Sequence, residues 1–95
     1  MKMSNRITQK DLERQVDRIN RLTKSPDTYS TVTDGKRVIN IGHYHLDMAY
    51  GGNKLVRTVN NGGGIREISH MGYSTKKELF HWMNAFEAGL EVNGD

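Results

Sequence analysis

Glycine is unevenly distributed along this chain, and its placement constrains the fold more than any other feature. Six of the ten glycines lie between Gly42 and Gly64. Glycine reaches backbone angles that other residues avoid and weakens the interior of a helix or strand, so the centre is suited to short strands and tight turns. The segments on either side carry apolar residues at helical spacing. The sequence therefore predicts two helices that flank a small β region.

The N-terminal segment has the pattern of an amphipathic helix. Thr8 is a favourable N-cap, and Pro26 disfavours helical backbone just before it, so the helix should end near Lys24. One face carries residues at helical spacing: Leu12, Val16, Ile19 and Thr23. The opposite face carries four basic residues: Lys10, Arg14, Arg18 and Arg21. This basic row is either a solvated surface or a ridge that faces an anion or an acidic protein.

A β-hairpin is expected next. Residues 28–33 are rich in β-branched side chains, and Asp34-Gly35 is a strong signal for a type I′ turn. The returning strand over 36–41 is predicted to continue through His43 to Leu46, with Gly42 as a bulge or a close backbone approach.

Two further strands complete the predicted meander. Residues 54–60 alternate in a way that suits a strand, although a short helix is the alternative, and residues 65–69 form the last strand. The C-terminal helix begins at Ser74 or Thr75, where Thr75 and Glu78 form a capping box. Its core stripe is Leu79, Met83, Phe86 and Leu90. The predicted fold class is α+β: an N-terminal helix, a three- to four-stranded antiparallel meander and a C-terminal helix packed on the sheet.

The C-terminal helix carries more aromatic surface than one small sheet requires. We therefore predict a homo-oligomer whose interface includes Phe80, Trp82 and Phe86. The alternative is that Trp82 is a half-exposed cap on the protein's own core.

Composition restricts the class of protein. The 95 residues are expected to form one domain, with residues 1–7 and 92–95 frayed. The chain has no cysteine, and neither a membrane span nor a signal peptide is recognisable, so a cytoplasmic protein is predicted. The net charge of +3 favours an anionic partner only weakly.

Residues 43–47 are the segment richest in side chains that could bind a metal or a ligand. On a strand, His43, His45 and Asp47 would point to one face. Two imidazoles and a carboxylate could hold zinc or iron, and this metal site is kept as a less favoured alternative to half-buried histidines. No nucleophile or acid–base pair stands out, so we predict neither catalysis nor a cofactor.

The glycine turns indicate a different kind of site. Gly62, Gly63 and Gly64 could form a nest of backbone N–H groups that binds an anion. Arg57 and Arg66 could add charge-assisted bonds to phosphate. The side chains predicted to hold a base are His43, Tyr44, His45 and Tyr50. Ordinary tight turns of a small β protein are the alternative explanation.

Several motifs resemble those of a family of small accessory proteins from tailed bacteriophages. They are GHYHLDMAYGG, NNGGGIREIS and STKKELFHWMNAFEAGLE, together with the opening DLERQVDRINRLT. The resemblance extends from Asp11 to Glu91. It implies a phage product that acts in the host bacterial cytoplasm, but it carries no activity, ligand or functional residue with it. Members usually have proline at the position of Thr75, which suits the first turn of a helix.

These observations predict a phage-type counter-defence protein that sequesters an anionic nucleotide signalling molecule in an oligomer. One alternative is an inhibitor that docks on a host protein or nuclease complex. Another is direct nucleic-acid binding through the basic row of the first helix.

Overall fold

The structure is a computed structural model, and it describes residues 6–93. Its elements in chain order are α1 (Gln9–Leu22), β1 (Ser30–Thr33), β2 (Lys36–Ile39), β3 (Tyr44–Ala49), β4 (Gly52–Thr58), β5 (Ile65–Glu67) and α2 (Lys76–Asn93). The α+β class is confirmed. Most of the residues predicted to fray, 1–5 and 94–95, lie outside the described range, while α2 continues to Asn93.

Both helices begin as the sequence predicts. The backbone N–H of Asp11 donates to the Thr8 hydroxyl at 3.1 Å, and the Thr8 N–H donates to the Asp11 carboxylate at 2.9 Å. The same reciprocal pair joins Thr75 to Glu78 ahead of α2, at 2.9 and 3.1 Å. Each box satisfies two N–H groups that a helix terminus would otherwise leave unpaired.

The first hairpin is confirmed, but its second strand is shorter than predicted. Asp34 and Gly35 have φ of 53° and 78°, as a type I′ turn requires. The prediction that the strand continues to Leu46 is wrong. The last backbone bond of the hairpin is that from the Asn40 N–H to the Tyr29 carbonyl, after which Gly42, with φ of 99°, turns the chain into a separate sheet.

The strands form two antiparallel sheets among the described residues. β1 pairs with β2 in a two-stranded arm, while the main sheet has the order β3-β4-β5. Residues 52–58 form a strand, so the alternative of a short helix there is excluded. The turn at Tyr50-Gly51 joins β3 to β4 and has positive φ at both residues, 54° and 75°.

The core lies between one face of the main sheet and the two helices. Its buried residues are Leu12, Val16, Ile19, Tyr44, Leu55, Leu79 and Met83. The α1 stripe and the first half of the α2 stripe predicted from spacing therefore point inwards, while Phe86 and Leu90 pack at the margin.

Asn20 joins α1 to the outer edge of β3. This residue is 1% exposed. Its amide nitrogen donates to the Tyr44 carbonyl at 3.0 Å, and its amide oxygen accepts from the Tyr44 N–H at 2.9 Å. The side chain thus pairs with β3 as the backbone of another strand would.

In the part of the chain that the structure describes, neither helix has the length and apolar character needed to cross a membrane.

Candidate anion-binding site

The fold brings two arginines together on the main sheet. Arg57 of β4 and Arg66 of β5 are directly opposite each other in the antiparallel register, so both side chains leave the same face with Cβ atoms roughly 4.5–5.5 Å apart. Tyr44 is opposite Arg57 on the other side, which places the pair on the face that carries the helices. The sequence suggested that these arginines are neighbours, and the register makes them so.

Arg57 is held in place from two directions. Its Nε donates to the carbonyl of Gly42 at 3.0 Å, and its guanidinium carbon lies 4.7 Å from the centre of the Tyr44 ring. Arg66 is exposed, and its guanidinium makes no hydrogen bond within residues 6–93. Neither arginine has a carboxylate of residues 6–93 within 4.0 Å. The two positive charges are therefore uncompensated within the described chain.

Aromatic rings continue from this pair along α2. The Tyr44 ring is 6.2 Å from that of Phe86, and Phe86 is stacked on Trp82 with centroids 5.0 Å apart and an interplanar angle of 22°. Trp82 and Phe86 are partly exposed while packing against the core. Phe80, on the side of α2 that faces α1, is also partly buried. The predicted oligomer interface thus lies at the margin of the core, and it stays a prediction.

The glycine turn does not offer an open nest of N–H groups. The N–H groups of Gly62 and Gly64 donate to the side-chain oxygen of Asn60 at 3.0 and 2.9 Å. The N–H of Gly63 donates to the Asn60 carbonyl at 3.1 Å. An anion would have to displace these bonds, so we assign no ligand contact to the three glycines. Sequence reasoning identified the turn and missed that Asn60 occupies it.

Gly63 has a structural role instead. Its φ is 83°, and the hydroxyl of Tyr29 lies directly against the place where a Cβ would project. The Tyr29 ring also meets that of His45 edge-on at 5.6 Å. Tyr29 therefore ties the base of the β1–β2 arm to the main sheet. The sequence carries no signal for this contact because it joins residues 34 positions apart.

His43 and His45 lie on the opposite face of the sheet from the arginines. Their rings stack at 5.5 Å, and His43 Nδ1 is 2.8 Å from the carbonyl oxygen of Pro26. Burial, followed by the nearby charge of His43, lowers the pKa of His45 below its usual 6.5. The Nδ1 of His45 is buried and has no partner among the described residues. Both rings are therefore packed against their neighbours, and the lowered pKa favours the neutral form of His45.

The proposed metal ligands do not converge. Asp47 accepts a hydrogen bond from the Tyr73 hydroxyl at 2.7 Å, and this bond is the main reason why the pKa of Tyr73 is raised. Within residues 6–93, no group of three or more histidine, aspartate or glutamate side chains is placed to hold a metal ion. The structure gives the alternative site at His43, His45 and Asp47 no support.

Tyr50 is remote from the other predicted ligand residues. It lies in the β3–β4 turn, is 94% exposed and meets Tyr73 edge-on at 5.5 Å. Tyr44 begins the same strand six positions earlier, which corresponds to about 20 Å. The structure thus separates Tyr50 from Arg57 and Arg66, which belong to the other end of the sheet.

The basic row of α1 is partly neutralised. Arg14 pairs with Asp11 at 3.4 Å, and Arg18 pairs with the buried Glu87 at 2.9 Å. Two of the four predicted cations therefore have carboxylate partners, and the second pair links α1 to α2.

Comparisons of the chain with protein-family models, curated proteins and solved structures find no match. The resemblance to phage accessory proteins accordingly stays a prediction.

Proposed function

We propose that this chain is a non-enzymatic binding protein that holds a phosphate-bearing ligand, in the first place a nucleotide, on Arg57 and Arg66. The observation that carries the proposal is the cross-strand pairing of two arginines without a carboxylate within 4.0 Å among the described residues. Like charges directly opposite in a sheet destabilise it. A bound phosphate removes that repulsion and accepts hydrogen bonds from both groups.

The setting of Arg57 favours binding further. Its contacts with Gly42 and Tyr44 restrict the guanidinium before any ligand arrives. A side chain that is already ordered loses less conformational entropy on binding. Arginine also presents two parallel N–H groups to phosphate, which a lysine cannot do. One restricted arginine and one free arginine thus form a clamp on one face of the sheet.

Trp82 and Phe86 supply a surface for a base. Both rings are partly exposed and connect through Tyr44 to Arg57. Stacking of a base on an aromatic side chain contributes about 1–3 kcal/mol in single-stranded nucleic-acid complexes. The combination of an arginine clamp with an aromatic surface favours a nucleotide over inorganic phosphate.

The biological role in this proposal is counter-defence. A phage protein that binds a nucleotide signal of the host without turning it over lowers the free concentration of that signal in the bacterial cytoplasm. This part of the proposal rests on the resemblance of the sequence motifs to phage accessory proteins.

The test is a calorimetric titration supported by thermal unfolding. Linear nucleotides, cyclic nucleotides and inorganic phosphate are titrated into the full chain, into Arg66→Ala and into Arg21→Ala. Arg21 is the matched control because it is also an exposed arginine, lies at the end of α1 and makes no ion pair with described residues. At 100 times its dissociation constant, a ligand should add about 2.7 kcal/mol of stability.

We expect a nucleotide to bind the full chain and Arg21→Ala equally. Arg66→Ala should bind it roughly 10–100-fold more weakly, because a hydrogen bond to a charged group contributes about 1.5–3 kcal/mol. Absence of binding by any nucleotide at millimolar concentration would refute the proposal. Equal affinity of the Arg66→Ala and Arg21→Ala variants would refute it as well.

A further inference from the structure

The outer edge of β3 is open beyond Tyr44. β3 is an edge strand of the main sheet. The N–H and carbonyl of Tyr44 point away from β4, because both bond to Asn20. Backbone groups alternate in direction along an antiparallel strand, so those of Leu46 and Met48 also point outwards, and no described residue bonds to them. Such an edge can accept another strand.

A groove with acidic walls runs beside this edge. It has a volume of about 280 Å³ and lies between α1 and β3, with Leu46 and Met48 among its lining residues. Three carboxylates line it, Glu13, Asp17 and Asp27, and no arginine or lysine does. None of the three forms an ion pair within 4.0 Å with a described residue. The groove is therefore a negatively charged surface on a chain whose net charge is +3.

The β1–β2 arm lacks a partner of its own. Its strands approach each other and no other helix or strand of the described chain. Most of its residues are exposed, including Val32 at 66% and Val38 at 47%. An isolated two-stranded hairpin is marginally stable in water, so contact with a further surface would stabilise it.

The arm and the groove are complementary in charge and in hydrogen bonding. β2 begins with Lys36 and Arg37, and the arm carries a single carboxylate at its turn, Asp34. The N–H of Asn40 donates to the Tyr29 carbonyl, so alternation directs the backbone groups of Arg37 and Ile39 away from β1. The backbone groups of Arg37 and Ile39 are two residues apart, as are the unpaired backbone groups of Leu46 and Met48.

We propose that the β1–β2 arm of one chain adds to the β3 edge of a second copy, with β2 beside β3. The side chain of Arg37 then lies on the face that carries the acidic groove, and that of Lys36 lies on the opposite face, because side chains alternate along a strand. Reciprocal exchange of two arms produces a closed dimer, in which each main sheet is extended by a neighbouring hairpin. This interface is independent of the arginine pair and differs from the aromatic interface on α2.

The first measurement is the molar mass of the full chain in solution by light scattering, from about 1 to 200 μM. The chain has a mass of 10.8 kDa, so we expect a species of twice that mass as the concentration rises. A chain that stays monomeric throughout this range would overturn the proposal.

Charge reversal identifies the surfaces. The arm variant carries Lys36→Glu and Arg37→Glu, and the groove variant carries Glu13→Lys and Asp17→Lys. Each should be monomeric at concentrations where the full chain is dimeric, since each places like charges against each other. An equimolar mixture should form a dimer again, because both arm–groove contacts of a mixed pair then join opposite charges. Far-ultraviolet circular dichroism checks that each variant is folded.

A matched control for the arm variant carries Lys10→Glu and Lys77→Glu, which make the same change in net charge as that variant at exposed positions outside the arm and the groove. It should remain dimeric. Arm and groove variants that remain dimeric would overturn the proposal, as would folded variants that fail to associate when mixed. Loss of the dimer in Trp82→Ala together with dimeric charge-reversal variants would assign the interface to α2 instead.

Discussion

Replacement of Asn20 by alanine is the most direct test of how the helices are attached to the sheet. The amide of this buried side chain makes two hydrogen bonds with the backbone of Tyr44, at 2.9 and 3.0 Å. In Asn20→Ala the N–H and carbonyl of Tyr44 lose their partners, and Tyr44 is itself only 5% exposed. An unpaired buried polar group costs about 1–3 kcal/mol, so the variant should lose about 2–5 kcal/mol.

That loss is large relative to the stability of the protein. A chain of 95 residues has a free energy of unfolding of about 5–14 kcal/mol, at about 0.05–0.15 kcal/mol per residue. The assay is urea unfolding, followed by the fluorescence of Trp82, which is the only tryptophan. Linear extrapolation gives the free energy in water, and an unchanged slope shows that a similar surface is exposed on unfolding.

The control is Asn61→Ala, because Asn61 is exposed and its amide makes no hydrogen bond with a described residue. This change should alter stability by less than about 0.5 kcal/mol. If Asn20→Ala were equally mild, water or a backbone shift would be satisfying Tyr44, and the argument that Asn20 replaces a missing strand would be wrong.

Two further predictions concern Gly63 and His45. Both Gly63 and Gly35 have positive φ, but only a Cβ on Gly63 would collide with Tyr29. Gly63→Ala should therefore lower the melting temperature more than Gly35→Ala does. Equal losses in the two variants would exclude the Tyr29 contact as the cause. Burial, followed by the charge of His43, lowers the pKa of His45 below 6.5, so the unfolded chain takes up the proton first. The free energy of unfolding should therefore be greatest above about pH 6.5 and fall below that pH, and His45→Gln should reduce this pH dependence. Urea unfolding of the parent chain and the variant at pH 7.5 and 5.5 measures the effect. An unchanged pH dependence in the variant would assign the effect to other groups.

Local features were predictable because they depend on neighbours in the chain. Thr8 and Thr75 cap helices through residues three positions away, and Asp34-Gly35 determines its turn through two backbone conformations. The spacing of Leu12 and Val16, and of Leu79 and Met83, was enough to identify the buried faces. These features can be predicted without knowledge of the tertiary structure.

Only part of the site could be predicted from the sequence, because only some of its contacts join residues that are close in the chain. Arg57 and Arg66 are close in sequence and are joined by a turn, so their pairing follows from a short antiparallel connection. Sequence proximity groups Tyr50 with them, yet strand β3 carries it to the other end of the sheet. The glycine N–H groups of Gly62 and Gly64 are not available to an anion because the side-chain oxygen of Asn60 already accepts their hydrogen bonds.

The sequence by itself determined the two capped helices, the glycine turns and the α+β class, since capping, periodicity and turn conformation act within a few residues. Only the tertiary structure decided that β2 and β3 belong to different sheets, that Asn20 closes part of the β3 edge, and that the arm lies apart from the core. These depend on contacts between distant segments, whose free energy is gained only when the helices and the sheet enclose a common core.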